Sequence, residues 1–110
     1  MTFDVKDVNG TVVVALTGDV DLQSSPVVRQ QLLECLDKHK RLVVDLGAVS
    51  YIDSSGVASL VEAFQVSRKK TAYFALAAVS PAAMRVLSLA RLDKVFTIHA
   101  DVNAATAAQG

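Results

Sequence analysis

A short polar string, Asp53-Ser54-Ser55-Gly56, is the part of this sequence whose residue types and spacing offer chemistry. Aspartate, serine and glycine all favour the first turn of a helix, so an ordinary helix cap also explains the string. If Asp53 accepts hydrogen bonds from the first free amides, the Ser54 hydroxyl is left uncommitted. Gly56 is expected to keep this helix end uncrowded, so that another protein can approach the backbone.

Other catalytic or ligand-binding patterns are weak. Neither His39 nor His99 stands at metal-ligand spacing from acids or cysteine, and Cys35 is the single cysteine. The sequence has no GxSxG string, no phosphate loop ending in Gly-Lys-Ser, and no GxGxxG. Ser54 and Ser55 have no histidine at a spacing that identifies a triad, although such a partner can lie far away in sequence. We therefore expect a protein that is not an enzyme and uses no metal or cofactor.

The charge balance argues against two classes of partner. Eleven basic residues offset eleven acidic ones, so there is no basic excess to attract nucleic acid or an anionic membrane. The first residues lack the apolar run of a signal peptide, and no segment reaches membrane-spanning length. We expect a single cytoplasmic domain over residues 1–110, with no direct nucleic-acid binding and no membrane insertion.

The chain begins with the pattern of a β-hairpin. Phe3 and Val5 alternate with polar residues, which predicts a strand with one solvated face. Asn9-Gly10 is typical of a type I′ turn, because both residues tolerate positive φ. The return strand, over residues 11–17, is apolar enough to lie within a sheet.

Helices and strands then alternate. Ser25 as the cap and Pro26 as the first helical residue predict a helix that basic residues 38–41 close. A strand over 42–46, a turn over 47–52 and a second helix from the Asp53 string to residues 68–70 follow. Strand 73–79, a helix capped by Ser80, strand 95–98 and a final helix from Asp101 complete the pattern. The prediction is an α/β fold with a mixed sheet of four to five strands, an amino-terminal hairpin and crossover helices.

Four segments in order resemble one family. Residues 49–60, which contain the Asp53 string, resemble the signature of STAS-domain anti-sigma factor antagonists. Residues 16–22 are similar to the family's Gly-Glu-Leu-Asp segment, with Asp19 where glutamate is usual. Residues 43–46 and 92–96 resemble the strand before the signature and the carboxyl-terminal segment, although Ala90-Arg91 replaces a frequent glycine. The resemblance covers nearly the whole chain and implies the STAS fold.

The resemblance also implies a partner switch. In this family the unmodified protein binds an anti-sigma factor, which is a serine kinase, and a sigma factor is released. The kinase phosphorylates the first serine of the signature, here Ser54, and a serine phosphatase reverses the reaction. Asp21 matches an acidic position near that serine, so the implied partner-binding residues are Asp21, Asp53, Ser54, Ser55 and Gly56.

Three alternatives stay open. STAS domains also serve as small subunits that dock on lipid-transport ABC systems, and an intact Asp53-Ser54 favours the phosphoswitch without excluding that use. They also assemble into stress-sensing scaffolds, which usually carry a further sensor domain. An enzyme is the remaining alternative, and it requires a convergent set of titratable groups.

Overall fold

The computed structural model describes residues 1–108. Its five strands form one sheet in the order β1-β2-β3-β4-β5, in which only β1 and β2 are antiparallel. The predicted α/β architecture with a mixed sheet is therefore confirmed. The elements, in chain order, are β1 (Thr2–Val8), β2 (Thr11–Val20), α1 (Ser25–Lys38), β3 (Arg41–Ile52), α2 (Ser54–Lys69), β4 (Tyr73–Ala77), α3 (Pro81–Leu89), a 3-10 turn (Leu92–Lys94), β5 (Ile98–His99) and α4 (Val102–Ala107).

The amino-terminal hairpin is built as its turn residues predict. Asn9 and Gly10 have φ of 52° and 89°, the positive values that a type I′ turn requires. The Asp7 carboxylate accepts a hydrogen bond from the Gly10 amide at 2.9 Å. Val8 and Thr11 face each other across the turn, which fixes the register of the whole β1–β2 pair.

The core lies mainly on one face of the sheet. Alternate residues of the central strands point into a layer formed by α1, α2 and α3, where Val14, Leu32, Val44, Leu60, Leu76 and Leu87 are all fully buried. The opposite face has a smaller cluster, Val13, Val43, Ala75, Ala77 and Ala105, which α4 covers. The apolar runs of β2, β3 and β4 are thus explained by burial on both faces.

Four of the predicted strands have wrong ends, and the first is the return strand predicted over 11–17, which extends to Val20 as β2. The turn predicted over 47–52 is the second half of β3, because β2 continues to Val20 and pairs with it through two register shifts. Strand 73–79 ends at Ala77, since Ala78 has a positive φ of 54°. The strand predicted over 95–98 is Ile98–His99, and Phe96 before it is buried and packs against Phe64 at 5.5 Å between ring centroids.

The helix starts are predicted more closely than the strand ends. Asp53 and Ser80 cap α2 and α3, as the sequence indicated. The predicted final helix begins after Asp101, whose side chain caps α4. Ser25 is not a cap, since it is the buried first residue of α1 and Ser24 precedes the helix. Arg41 begins β3 and does not belong to the end of α1.

Candidate functional site

The candidate site is assembled at the carboxyl ends of β2 and β3. Val20 and Ile52 are parallel partners at these ends, and each strand leads directly into an acidic residue. The Asp53 amide donates to the Val20 carbonyl at 3.2 Å. This bond holds the first turn of α2 against the segment that follows β2, where Asp21 lies.

Asp53 is committed to the start of α2. One of its carboxylate oxygens accepts hydrogen bonds from the Ser55 amide at 2.9 Å and from the Gly56 amide at 3.1 Å. The Gly56 amide contributes most to holding the pKa of Asp53 below its ordinary value, with further help from Ser55 and the Leu22 amide. The carboxylate is therefore ionised at neutral pH, and its position is fixed by helix backbone.

The two serines of the string have different surroundings. Ser54 is exposed, and its hydroxyl forms no hydrogen bond with any residue between 1 and 108. Ser55 is half-buried and lines a shallow groove between α1 and α2, beside Pro26 and Arg29. The expectation of an uncommitted Ser54 hydroxyl thus agrees with the structure, and Ser54 is the more accessible of the two hydroxyls.

Gly56 has an internal reason to be glycine. A Cβ placed on it would lie 2.7 Å from the Val20 carbonyl oxygen and 2.7 Å from Cγ1 of Ile52. The residue is buried, so its packing holds α2 close to the ends of β2 and β3. Glycine at position 56 is therefore explained by this internal packing and not by an open helix end. Contact between Gly56 and a partner protein stays a prediction.

The Asp21 carboxylate serves the start of α1. It accepts hydrogen bonds from the amides of Gln23 and Ser24, both at 3.1 Å, and lies 3.1 Å from the Ser24 hydroxyl. The structure places Asp21 in the segment that contacts Asp53, while its carboxylate is turned toward α1. Its role in partner binding stays a prediction.

Two exposed apolar side chains beside the site were not singled out from the sequence. Leu22 is 72% exposed and follows Asp21, and Tyr51 is 51% exposed and lies two residues before Asp53. Both stand inside the segments that carry the family resemblance, but only the structure shows that they face solvent. They give the surface around Ser54 an apolar component.

The remaining chemistry of the described chain is limited. Residues 1–108 contain no cluster of three histidine, cysteine, aspartate or glutamate side chains that could hold a metal ion. Burial raises the pKa of the Cys35 thiol, which makes it a poor nucleophile. No helix in the same range has the length and apolar character needed to cross a bilayer.

Comparisons with known proteins give the family. A STAS-domain family model matches residues 2–105 of this chain. The anti-sigma-B factor antagonist of Bacillus subtilis (strain 168) is 29% identical over 97 residues, which cover 88% of this chain and 89% of that protein.

Solved structures agree with this match. An anti-sigma factor antagonist from Mycobacterium paratuberculosis is 30% identical and superposes with a TM-score of 0.84, covering 96% of this chain and 90% of that one. Phosphorylated SpoIIAA from Bacillus is 20% identical, with a TM-score of 0.76 and coverage of 96% of both chains, and shows a shared fold. With the family match over residues 2–105, the chain belongs to the STAS-domain family.

Proposed function

We propose that this chain is an anti-sigma factor antagonist controlled by phosphorylation of Ser54. Unmodified, it binds an anti-sigma factor that is a serine kinase, and a sigma factor is released. The kinase phosphorylates Ser54 and so ends the interaction, and a serine phosphatase restores it. The observation that carries the proposal is the exposed hydroxyl of Ser54, the first residue of α2. Because the Asp53 side chain caps the helix, the Ser54 hydroxyl is not needed for that purpose.

The start of α2 is suited to hold a phosphate without loss of the fold. A phosphate adds a charge of about −1.5 to −2 and three strong acceptor oxygens. The positive end of the helix dipole stabilises an anion by about 0.3–1 kcal/mol at an exposed position. Because Ser54 is exposed and its hydroxyl makes no hydrogen bond with residues 1–108, the modification breaks no hydrogen bond in that part of the chain.

The surface around Ser54 is suited to lose its partner when the phosphate arrives. Leu22 and Tyr51 offer apolar area that a partner would cover, and Asp53 already places a negative charge beside it. A phosphate there adds negative charge, which is repelled by Asp53 and must lose its hydration when the partner binds. Both effects weaken the complex. A loss of about 2.8 kcal/mol is enough to weaken binding a hundredfold.

The names of the relatives support this function over the transporter alternative. The Bacillus subtilis relative is named an anti-sigma-B factor antagonist, and the Paenibacillus polymyxa relative an anti-sigma F factor antagonist. The Mycobacterium paratuberculosis structure, 30% identical, is also an anti-sigma factor antagonist.

The proposal is tested by titrating the anti-sigma serine kinases of the same organism into four proteins by calorimetry. These are the wild type, Ser54→Ala, Ser54→Asn and Ser54→Asp. Asparagine matches aspartate in size without its charge, so the Asn–Asp pair isolates the effect of charge. We expect wild type, Ser54→Ala and Ser54→Asn to bind one kinase similarly, and Ser54→Asp to bind it at least about tenfold more weakly.

Two results would count against the proposal. Equal affinity of Ser54→Asn and Ser54→Asp would show that charge at this position does not control the complex. If the folded wild type bound none of these kinases, antagonism of an anti-sigma factor would be the wrong function.

A further inference from the structure

Strand β1 forms an edge of the sheet and is poorly covered. Within residues 1–108 it pairs with β2 alone, and the order of strands leaves its other side unpaired. Phe3 and Val5 are 39% and 41% exposed although they point to the same face as the core residues Leu16 and Val14. A seven-residue edge strand of this kind presents free N–H and C=O groups to another strand.

The hairpin determines which backbone groups are free. In a two-residue hairpin the residues that flank the turn, here Val8 and Thr11, exchange hydrogen bonds with each other. Because such pairs alternate along antiparallel strands, Asp4 and Lys6 also bond inward to β2. The N–H and C=O groups of Phe3, Val5 and Asp7 therefore point outward.

We propose that β1 is a self-association edge, on which β1 of a second copy pairs antiparallel with Val5 opposite Val5. In this register Phe3 of each copy lies opposite Asp7 of the other. The outward N–H and C=O groups of both strands can therefore all form hydrogen bonds. The two five-stranded sheets then form one continuous sheet. Backbone pairing of this kind is the common way in which an exposed sheet edge recruits a strand.

The side-chain charges select this register. With Val5 at the two-fold axis, Asp4 lies opposite Lys6 of the second copy, so two oppositely charged pairs form. These pairs do not exchange backbone bonds, and their side chains therefore approach most closely. On the other face of the sheet, Phe3 of each copy lies diagonally across from Val5 of the other copy, within reach of an aromatic side chain.

The neighbouring registers bring like charges together. A shift that keeps the outward groups paired places either Asp4 opposite Asp4 or Lys6 opposite Lys6 on the axis. Like charges directly opposite one another destabilise a strand pair. The contact is smaller than a standard stable interface, so the dimer is expected to be concentration-dependent. The proposal does not rest on Ser54 or on any other partner.

The register is tested by disulfide cross-linking of the full chain under mild oxidation. Val5→Cys places two cysteines opposite each other with Cα atoms about 5.5 Å apart, a distance that a disulfide spans. Asp4→Cys and Lys6→Cys serve as matched controls on the same strand. The wild type controls for Cys35, which is buried.

We expect Val5→Cys to form covalent dimers, and a mixture of Asp4→Cys with Lys6→Cys to form mixed dimers in preference to either protein alone. Circular dichroism confirms that each variant is folded. A folded Val5→Cys protein that cross-links no more than wild type, at up to about 1 mM, would overturn the proposal. Preferential cross-linking of Asp4→Cys to itself would overturn the register.

Discussion

The starts of α1 and α2 are built from similar residues and do opposite things with them. Before α1, the Ser24 hydroxyl accepts from the Asp21 amide at 2.9 Å and lies 3.1 Å from the Asp21 carboxylate. Before α2, the Asp53 carboxylate accepts hydrogen bonds from the Ser55 and Gly56 amides of the helix, and the following Ser54 makes no hydrogen bond with the described residues. The Ser24 hydroxyl is therefore engaged by the loop before α1, whereas the Ser54 hydroxyl is not engaged by any group in residues 1–108.

The backbone explains the difference. Ser24 has φ −92° and ψ −21°, a helical conformation in which its side chain does not cap the helix amides. Asp53 has φ −109° and ψ −173°, the extended conformation from which a side chain reaches the first free amides. Asp21 uses its carboxylate to hold the loop, whereas Asp53 uses its carboxylate to hold the helix.

The largest difference in stability is expected at the third residue of each helix. Gly56→Ala forces a methyl group to within 2.7 Å of the Val20 carbonyl oxygen, and should lower the free energy of unfolding by about 1–3 kcal/mol. Val27, the third residue of α1, is 48% exposed. Val27→Ala should change the free energy of unfolding by less than about 0.5 kcal/mol.

Urea denaturation of both variants measures this difference. In an unconstrained helix, alanine is more stable than glycine by roughly 0.5–1 kcal/mol. Gly56→Ala should therefore raise the free energy of unfolding if Gly56 is only a flexible helix residue, and lower it if close packing requires glycine. A Gly56→Ala protein at least as stable as the wild type would mean that α2 does not need its close approach to β2.

A smaller difference is expected between the two serines. Ser24→Ala removes the acceptor of the Asp21 amide and should cost about 1 kcal/mol of folding free energy. Ser54→Ala removes an exposed hydroxyl that makes no hydrogen bond with residues 1–108 and should cost less than about 0.5 kcal/mol. Urea denaturation measures both values. If Ser24→Ala and Ser54→Ala lowered the free energy of unfolding equally, the two serines would not differ in their structural role.

Features set by a few adjacent residues were predictable from the sequence. The Asn9-Gly10 turn and the Asp53 and Ser80 caps depend on local backbone chemistry, and each was predicted at its correct position. The choice of Ser24 over Ser25 before α1 was missed, because Asp21 fixes Ser24 from three residues away. A propensity for capping does not distinguish two consecutive serines.

Features that depend on distant packing were not predictable in the same way. Residues 47–52 look like a turn, yet they are strand because the end of β2 pairs with them. Gly56 looks like a flexible helix start, and its buried contacts with Val20 and Ile52 become visible only when β2 and β3 lie side by side. The exposure that favours Ser54 over Ser55 depends on where α1 packs against α2.

The most direct test of the switch is phosphosite mapping by mass spectrometry on protein purified from its own host. We expect phosphate on Ser54 and none on Ser24, Ser25 or Ser55, because only Ser54 combines exposure with a helix start capped by another residue. Phosphate on Ser55, or an unmodified Ser54 under every growth condition tested, would contradict the phosphorylation switch.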